Sequence, residues 1–294
     1  MAYVLGVIGG SGLYQLPGLE HVEEVSAHTP FGNPSDKVVR GRLGDTTLLF
    51  LPRHGRDHAI PPSEVNYRAN VHALKALGAT HVLSVSAVGS LREEIAPGHL
   101  AVPAQFIDRT HRRAGSFFDR DVAVHVSMAD PVCPVLASAV AVCARETGAE
   151  VHAGGTYLCI EGPRFSTRAE SHLWRAWGAD VVGMTNVPEV FLAREAELPY
   201  ATLALSTDYD CWRPHEEVDV SAIVAVLHAN VSRAQEVIRR LAARLPDPSA
   251  SPAHRALDHA MLTGARPSTP TPARASRCSS AGCCEGQSRG RPGR

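Results

Sequence analysis

Two aspartates, Asp208 and Asp210, stand where an apolar run of the sequence gives way to polar residues. The run, residues 201–205, has the length and composition of a buried strand in a parallel sheet. Ligands of open α/β sheets bind beyond the carboxyl ends of such strands. Two close carboxyls raise the pKa of one of them, so one can hold a proton while the other is ionised. Such a pair suits the ring nitrogen and exocyclic amine of a purine, although a solvated loop is an alternative interpretation.

Two other predicted strand ends carry glycine and serine, residue types that suit an anion. Residues 4–8 predict a short strand that leads directly into Gly9-Gly-Ser-Gly12, and residues 81–86 predict a central strand followed by a second Gly/Ser turn. Glycine lets the backbone approach a ligand closely, while hydroxyls and backbone N–H groups donate to oxyanions. The first turn lacks the G-x-G-x-x-G spacing of a dinucleotide site, so it predicts an anion site only.

A basic segment follows the predicted strand at residues 47–51. Arg53 and His54 form a candidate phosphate clamp, because a guanidinium offers a planar fork to an oxyanion. His54 and His58 are four positions apart, a spacing that could bind a metal on a helix. The glycine and the proline pair in this segment argue against a helix, so we predict no metal. A basic surface loop is the other interpretation.

Strand and helix patterns alternate along the chain and must position these residues. Further strands are predicted at residues 100–102, 156–160 and 181–184, and helices are predicted to begin at Pro62-Ser63, near Leu136, at the Thr167/Glu170 capping box and at Ser221. The alternation predicts an α/β fold in which one mixed β-sheet is flanked by helices, within a single domain over residues 1–246. Residues 247–294 are rich in Pro, Ser and Arg without apolar periodicity, which predicts a disordered tail.

The composition limits the class of protein. The 294 residues are 44% hydrophobic with a formal net charge of -1, which indicates a globular chain and gives no support for nucleic acid or membrane partners. No apolar run approaches the roughly 20 residues that span a bilayer, and the amino terminus lacks the features of a signal peptide. The cysteines match no zinc pattern. We therefore expect reduced thiols and a cytoplasmic location.

Short motifs occur in order from about residue 7 to residue 245. They are Gly9-Gly-Ser-Gly12, Thr29-Pro-Phe-Gly32, Arg53-His-Gly-Arg56, Asn66-Tyr67, Gly89-Ser-Leu-Arg-Glu-Glu94, Gln105-Phe-Ile-Asp-Arg-Thr110, Glu161-Gly-Pro-Arg-Phe165, Met184-Thr185 and Thr207-Asp-Tyr-Asp-Cys-Trp212. In this combination the chain resembles the trimeric purine nucleoside phosphorylase family and, within it, the methylthioadenosine phosphorylases.

The resemblance implies the roles of individual residues. The implied phosphate site consists of Ser11, Arg53, His54, Ser86, Ala87 and Thr185. The implied nucleoside site has Phe165 stacked on the base, Met184 beneath the ribose, and Asp208, Tyr209, Asp210 and Ser166 around the base. Val220 and His58 match the end that holds the 5′ substituent, and His125 matches a residue supplied by a neighbouring subunit of a homotrimer.

The resemblance also implies a reaction, the reversible phosphorolysis of methylthioadenosine, with Asp208 as acid, Asp210 as acceptor, and phosphate as co-substrate without a cofactor. Aspartate at both positions favours adenine, because an ionised carboxylate repels the carbonyl of a 6-oxopurine. The alternatives are a 6-oxopurine or methylthioinosine phosphorylase of the same fold, a nucleoside hydrolase, and a non-catalytic nucleotide-binding protein. Products of such a phosphorylase would serve purine and methionine salvage.

Overall fold

The computed structural model describes residues 3–118, 122–214 and 220–261, apart from the side chains of residues 11, 220, 222, 223, 225 and 227–229. The strands are β1 (Val4–Gly9), β2 (Glu20–Val25), β3 (Val38–Leu43), β4 (Thr46–Pro52), β5 (His81–Ser90), β6 (Leu100–Val102), β7 (Gln105–Arg109), β8 (Val151–Ala153), β9 (Thr156–Ile160), β10 (Val181–Gly183) and β11 (Tyr200–Asp208). The helices are α1 (Tyr67–Ala76), α2 (Pro134–Arg145), α3 (Arg168–Ala176), α4 (Glu189–Glu195) and α5 (Val220–Ala242).

Strand β5 is central to the sheet. Its first residues pair in parallel with β1, and residues 82–89 pair in parallel with β11. From β1 the sheet continues through β4, β3 and β2, while the far end of β5 pairs antiparallel with β10, which leads to β9 and β7. The short strands β6 and β8 extend the sheet beyond β11. This mixed sheet flanked by helices confirms the predicted fold class.

The inner strands are apolar because helices cover the sheet. Leu5, Leu83 and Leu203, on β1, β5 and β11, are fully buried. Helices α2 and α5 pack against β11, and α1 packs against α4. Burial on both faces is the reason these strands read as continuous hydrophobic runs in the sequence. Neither α5, which has 23 residues, nor any other helix within the described residues is long and apolar enough to cross a bilayer.

Helix starts were predicted with mixed success. The capping box is confirmed at α3, where Thr167 Oγ1 accepts from the Glu170 N–H and the Glu170 carboxylate accepts from the Thr167 N–H. The predicted start at Pro62-Ser63 is wrong, because those residues form a 3₁₀ turn and the cap of α1 is Asn66, whose side chain accepts from Ala69 N at 3.1 Å. The cap predicted at Ser221 is also wrong, since α5 already begins one residue earlier.

Several strands of the structure were not predicted from the sequence. Strand β2 is nearly all charged or exposed, and β7 pairs only with β9, so neither has the apolar run of a central strand. Edge strands carry such polar residues because one side of the backbone faces away from the sheet. Strand β5 also continues through Ser90 instead of turning at Ala87. Its last residues pair with β10 and β11, which keeps the chain extended.

The chain past residue 246 was predicted to be disordered. Residues 247–261 are described: they form 3₁₀ turns at Pro248–Ala250 and Pro252–Arg255, capped by Asp247 and Ser251, and Ala253 is buried. The same Asp-Pro and Ser-Pro pairs that suggested disorder act here as turn starts. Residues 1–262 form one compact unit, and the second unit, 263–294, lies outside the described residues.

Candidate active site

The two aspartates meet at the end of β11. Asp208 is the last residue of the strand, and Asp210 follows with a left-handed φ of 52°. The backbone N–H of Asp210 donates to Oδ1 of Asp208 at 2.6 Å, and Oγ1 of Thr207 lies 2.7 Å from Oδ2 of Asp208. Asp210 is only 5% exposed, which excludes the solvated-loop interpretation for this residue. The structure therefore brings the predicted carboxyl pair together.

Gly89 makes room for this pair. The register of β5 and β11 shifts between Ser206 and Asp208, opposite Val88 and Gly89. A Cβ at Gly89 would lie 3.0 Å from Oδ1 of Asp208 and 3.3 Å from the Cβ of Asp210. Both distances are shorter than comfortable van der Waals contact, so a side chain here would push the carboxyls out of place. The absence of a side chain at Gly89 thus leaves the space that the two aspartates occupy.

The protonation of the pair is set mainly by burial. Removal from water raises the pKa of Asp208, although the Thr207 hydroxyl and the Asp210 backbone N–H oppose the shift. Burial also raises the pKa of Asp210, and the negative charge of Asp208 adds to the effect. A raised carboxyl pKa favours the protonated form of the carboxyl. This is the property that a general acid requires.

A cluster of hydroxyls joins β5, β9 and the segment that follows β10. Oγ of Ser86 is 3.1 Å from Oγ1 of Thr185 and 3.3 Å from the phenol oxygen of Tyr157. Ala87 follows Ser86, whose hydroxyl also reaches the Ala87 carbonyl oxygen at 3.2 Å. Three of the residues predicted for phosphate are therefore adjacent. Tyr157 was not predicted, because an aromatic residue inside a strand reads as core.

Arg53 lies beneath this cluster and is paired with Glu189. Its Nε and Nη2 donate to the two carboxylate oxygens of Glu189 at 2.9 and 3.1 Å, Nη2 also to Ser84 Oγ at 2.6 Å, and Nη1 to the carbonyl of Val85 at 3.1 Å. The side chains are 3% and 0% exposed. Despite burial, the Glu189 charge raises the pKa of Arg53 above its ordinary value. Among the described residues, the Val85 carbonyl is the acceptor that the structure gives for Nη1.

Glu189 itself was overlooked in the sequence. It opens α4 and also accepts from the Tyr200 hydroxyl at 2.9 Å. Tyr200 shares a further contact with Asn186, whose side-chain nitrogen donates to Tyr200 Oη at 3.1 Å. The available signal was an acidic residue directly after Val187-Pro188, at the end of a predicted strand. Its position predicts an exposed turn, whereas the structure shows a fully buried carboxylate with an arginine partner.

His54 and His58 stand side by side next to Arg53. Their ring centroids are 4.5 Å apart, and Nδ1 of His54 lies 2.8 Å from the carbonyl oxygen of Ile60. Burial and then the Arg53 charge lower the pKa of His54 to about 4, so this imidazole is neutral at neutral pH. His58 is exposed with a φ of 54°. No group of metal-ligating side chains occurs among the described residues.

The predicted nucleoside wall lies between the loops that follow β9 and β10. Phe165 is 41% exposed, as an aromatic surface for a base would be. Gly162, with a φ of 69°, lets its loop approach Met184, because a Cβ there would lie 2.7 Å from the Met184 sulfur. Ser166 is half-buried and accepts a hydrogen bond from the Trp174 indole at 3.3 Å. Phe165, Met184 and Ser166 thus lie on two neighbouring loops.

Arg113 joins these two loops and was also missed. Its side chain is 1% exposed; it donates to the Val187 carbonyl at 2.5 Å, the Glu161 carbonyl at 2.7 Å and the Tyr67 hydroxyl at 3.0 Å. In the sequence it belongs to a His-Arg-Arg run that looks like basic surface. A buried guanidinium with several carbonyl partners fixes the relative position of the loops.

The other predicted residues have separate positions. Tyr209 donates to the Glu93 carbonyl at 3.3 Å, beside the aspartate pair in the chain. His125 is exposed, and its backbone N–H donates to the carbonyl of Ala260 at 2.9 Å. The side chains of Ser11 and Val220 lie outside the described residues. A cavity of about 180 Å³, lined by residues such as Glu94 and His152, includes none of the predicted site residues.

The sequence profile of the phosphorylase superfamily matches residues 4–243. The S-methyl-5'-thioadenosine phosphorylase of Geobacter sulfurreducens is 53% identical over 265 residues, which cover 90% of this chain and 93% of that protein. The protein of the same name from Cereibacter sphaeroides is 52% identical, with 90% and 92% covered. The chain is therefore similar to these proteins along nearly their whole length.

Solved structures give the same result. A methylthioadenosine phosphorylase sourced from an antarctic soil metagenomic library matches with a TM-score of 0.84 at 47% identity, covering 90% of this chain and 93% of that one. A mutant adenosine/methylthioadenosine phosphorylase from Schistosoma mansoni, crystallised with adenine, matches with a TM-score of 0.84 at 38% identity, covering 88% and 99%. The sheet and its connections are thus those of these enzymes.

Proposed function

The chain belongs to the phosphorylase superfamily, and from this premise we propose that it catalyses the reversible phosphorolysis of S-methyl-5'-thioadenosine. The products are adenine and 5-methylthioribose-1-phosphate. The observation that carries the proposal is the pair of half-buried Asp208 and buried Asp210 at the end of β11, whose pKa values are both raised. Relatives at about half identity over nine-tenths of the chain, named for this reaction, support the choice of substrate.

At the base end, the two carboxyls divide the work. Cleavage of the bond between the ribose and N9 leaves negative charge on the purine. Asp208, in its protonated form, donates to N7 as the base leaves, and Asp210 accepts from the exocyclic 6-amine. Burial of both carboxyls supports these roles, because it favours the protonated form of one and strengthens the hydrogen bonds of the other.

At the phosphate end, the hydroxyls of Ser86 and Thr185 and the guanidinium of Arg53 bind the anion. The phosphate then attacks the anomeric carbon from the face opposite the base, and its negative charge stabilises the positive charge that develops on the ribose. His54 contributes as a neutral hydrogen-bonding group, since its pKa is about 4. Phosphate is the co-substrate, and the proposed reaction uses no metal or organic cofactor.

We further propose a homotrimer that shares its active sites, in the cytoplasm, where the reaction serves purine and methionine salvage. The exposed position of His125 supports sharing, because a residue offered to a neighbouring subunit must lie at the surface. The described cysteines Cys133, Cys143, Cys159 and Cys211 are free thiols, which supports a reducing compartment.

The experiment that tests the reaction is adenine release from S-methyl-5'-thioadenosine with and without phosphate. Release only with phosphate is expected. Release in both conditions would identify a hydrolase, and release in neither would contradict the proposal and lead to methylthioinosine as the next substrate.

A variant tests the substrate class. Asp210→Asn replaces the acceptor of the 6-amine by a side chain that can donate to a 6-carbonyl, so preference should shift toward methylthioinosine. The measurement is the ratio of kcat/KM for the two nucleosides. An unchanged ratio would overturn the role of Asp210.

A further inference from the structure

Trp174 lies in α3 and Trp177 caps the C-terminus of that helix, and the two side chains differ in environment. Trp174 is 5% exposed, whereas Trp177 is 47% exposed, and their rings meet edge to face with centroids 5.1 Å apart. Nε1 of Trp174 donates a hydrogen bond to Oγ of Ser166 at 3.3 Å. An indole N–H can only donate. The Ser166 oxygen is therefore the acceptor in this bond, and its own proton is free to point elsewhere.

Ser166 is linked to the aspartate pair through Cys211. The Cys211 thiol donates to the backbone carbonyl of Ser166 at 3.2 Å, and its sulfur lies 4.0 Å from Oδ2 of Asp210. Contacts thus run in the order Asp208, Asp210, Cys211, Ser166. Along the edge of a purine, N7, the 6-substituent and N1 also follow one another. The contact to Ser166 is made through its backbone carbonyl. If Asp208 faces N7 and Asp210 the 6-substituent, as in the proposed function, this order assigns the position beside N1 to Ser166.

N1 is where the two classes of purine differ in hydrogen bonding. In a 6-aminopurine N1 is an acceptor, and in a 6-oxopurine it carries a proton and donates. A serine oxygen that already accepts from an indole presents its own O–H, which matches the acceptor of a 6-aminopurine. The oxygen keeps a second lone pair, so the indole biases the choice without fixing it completely.

We propose that Trp174 is a positioning residue that orients the Ser166 hydroxyl toward N1 and so favours 6-aminopurine over 6-oxopurine nucleosides. This inference rests on the proposed function, since it uses the roles given there to Asp208 and Asp210. It adds a second determinant of base specificity, supplied by a buried residue that does not touch the base.

The test compares Trp174→Phe with the matched control Trp177→Phe. The readout is the ratio of kcat/KM for S-methyl-5'-thioadenosine to that for methylthioinosine, both with phosphate. Trp174→Phe should lower this ratio about 3- to 10-fold, the usual range for one lost neutral hydrogen bond. Trp177→Phe should leave it unchanged. If Trp174 had only a structural role, both substrates would lose rate equally and the unchanged ratio would overturn the proposal.

Ser166→Ala and Trp174→Phe together form a double-mutant cycle. In the Ser166→Ala background, Trp174→Phe should have no further effect on the ratio, because the group that it orients is absent. An equal effect in both backgrounds would also overturn the proposal. Failure of the proposed function is recognised separately, because the unmodified protein would then release no adenine from S-methyl-5'-thioadenosine with phosphate.

Discussion

At the phosphate end of the candidate site a buried arginine is paired with a buried glutamate, whereas at the base end two aspartates are joined by the hydrogen bond from the Asp210 N–H to Oδ1 of Asp208. Arg53 and Glu189 form an ion pair with two hydrogen bonds, and both side chains are almost completely excluded from solvent. Burial raises the pKa values of Asp208 and Asp210, and the groups that stabilise their ionised forms are hydroxyls and backbone N–H groups. An ion pair of opposite charges such as Arg53 and Glu189 keeps its geometry over a wide pH range. Two carboxyls of the same charge, such as Asp208 and Asp210, can take up and release a proton. This difference supports a positioning role for the proposed phosphate end and proton transfer at the proposed base end.

The largest expected effect is on the chemistry of the base end. Asp208→Asn keeps the shape of the side chain and removes the proton that leaves with the base, so kcat should fall about 10²- to 10⁴-fold. Phosphate saturation should remain unchanged, because the hydroxyls and Arg53 lie at the other end. Steady-state kinetics with varied phosphate at saturating nucleoside would separate the two effects.

Asp45→Asn is the matched control for this variant, since the Asp45 side chain is fully exposed in the turn between β3 and β4. It should leave kcat unchanged. A loss of less than 10-fold in Asp208→Asn would assign the general acid to another group, and a large change in the phosphate requirement would break the division between the two ends.

The next effect concerns stability at the phosphate end. Glu189→Leu leaves the Arg53 guanidinium buried without its partner, and the free energy of unfolding should fall by about 3–5 kcal/mol. The control is Glu146→Gln, which removes the exposed contacts of Glu146 with Arg240 and Arg244. That substitution should leave the free energy of unfolding nearly unchanged, because exposed ion pairs contribute little. Urea denaturation measures both.

Replacing both partners sharpens the same comparison. The double variant Arg53→Met/Glu189→Leu should recover most of the stability that Glu189→Leu loses, since apolar residues can fill a buried pair's space without uncompensated charge. Phosphorolysis should remain impaired, because the anion has lost Arg53. A double variant that is as unstable as the single one would show that the site needs the pair's shape and hydrogen bonds, not only its charge balance.

The fold could be predicted from the sequence where burial leaves a pattern. Central strands such as β1, β5 and β11 are apolar on both faces, and the Thr167 capping box sets a local start for α3. Strand β2 was missed because it is an edge strand with charged side chains. The turns after residue 246 were missed because Pro and Ser carry no periodic signal, although Asp247 and Ser251 cap them.

The site divides in the same way. Asp208, Asp210 and Ser86 could be predicted as candidates because each lies where an apolar strand run of the sequence ends, and ligands of α/β sheets bind at such ends. Glu189 and Arg113 could not, because a charged residue in a loop is exposed on average, and only tertiary packing brings it a buried partner. Sequence patterns thus indicate candidate ligand-binding groups more readily than the buried charged groups that pack beside them.

A smaller effect is expected from added bulk beside the carboxyls. Gly89→Ala places a methyl group 3.0 Å from Oδ1 of Asp208 and should destabilise the protein by about 1–3 kcal/mol, as overpacking does. The displaced carboxyls should also raise KM for the nucleoside while the phosphate requirement stays constant. Gly115→Ala is the control, because a Cβ there meets nothing within 4 Å. Equal effects of the two substitutions would contradict the close packing of Gly89 against the pair.

The smallest expected effect is on the free energy of unfolding, which the ionised carboxyl of Asp210 lowers. The pKa of Asp210 is raised above its ordinary value of 3.8. At pH values between 3.8 and this raised pKa, the folded protein therefore binds more protons than the unfolded chain. The free energy of unfolding therefore falls as pH rises through this window. Asp210→Asn removes the ionisation and should stabilise the protein at pH 8, on the order of 1 kcal/mol as for many single substitutions, with the gain shrinking as pH falls toward 4.

Glu170→Gln provides the control with the opposite sign. The Arg164 guanidinium lowers the pKa of Glu170 to about 2, so its ionised form stabilises the protein above its ordinary value of 4.5, and this stability is lost as pH falls toward 2. Glu170→Gln should therefore destabilise at pH 8, modestly because the carboxylate is partly exposed. Urea midpoints measured from pH 8 down to pH 4 would test both variants. If Asp210→Asn lost stability at pH 8 as Glu170→Gln does, the carboxyls of the base end would be balanced after all, and proton transfer would lose the electrostatic basis proposed for it.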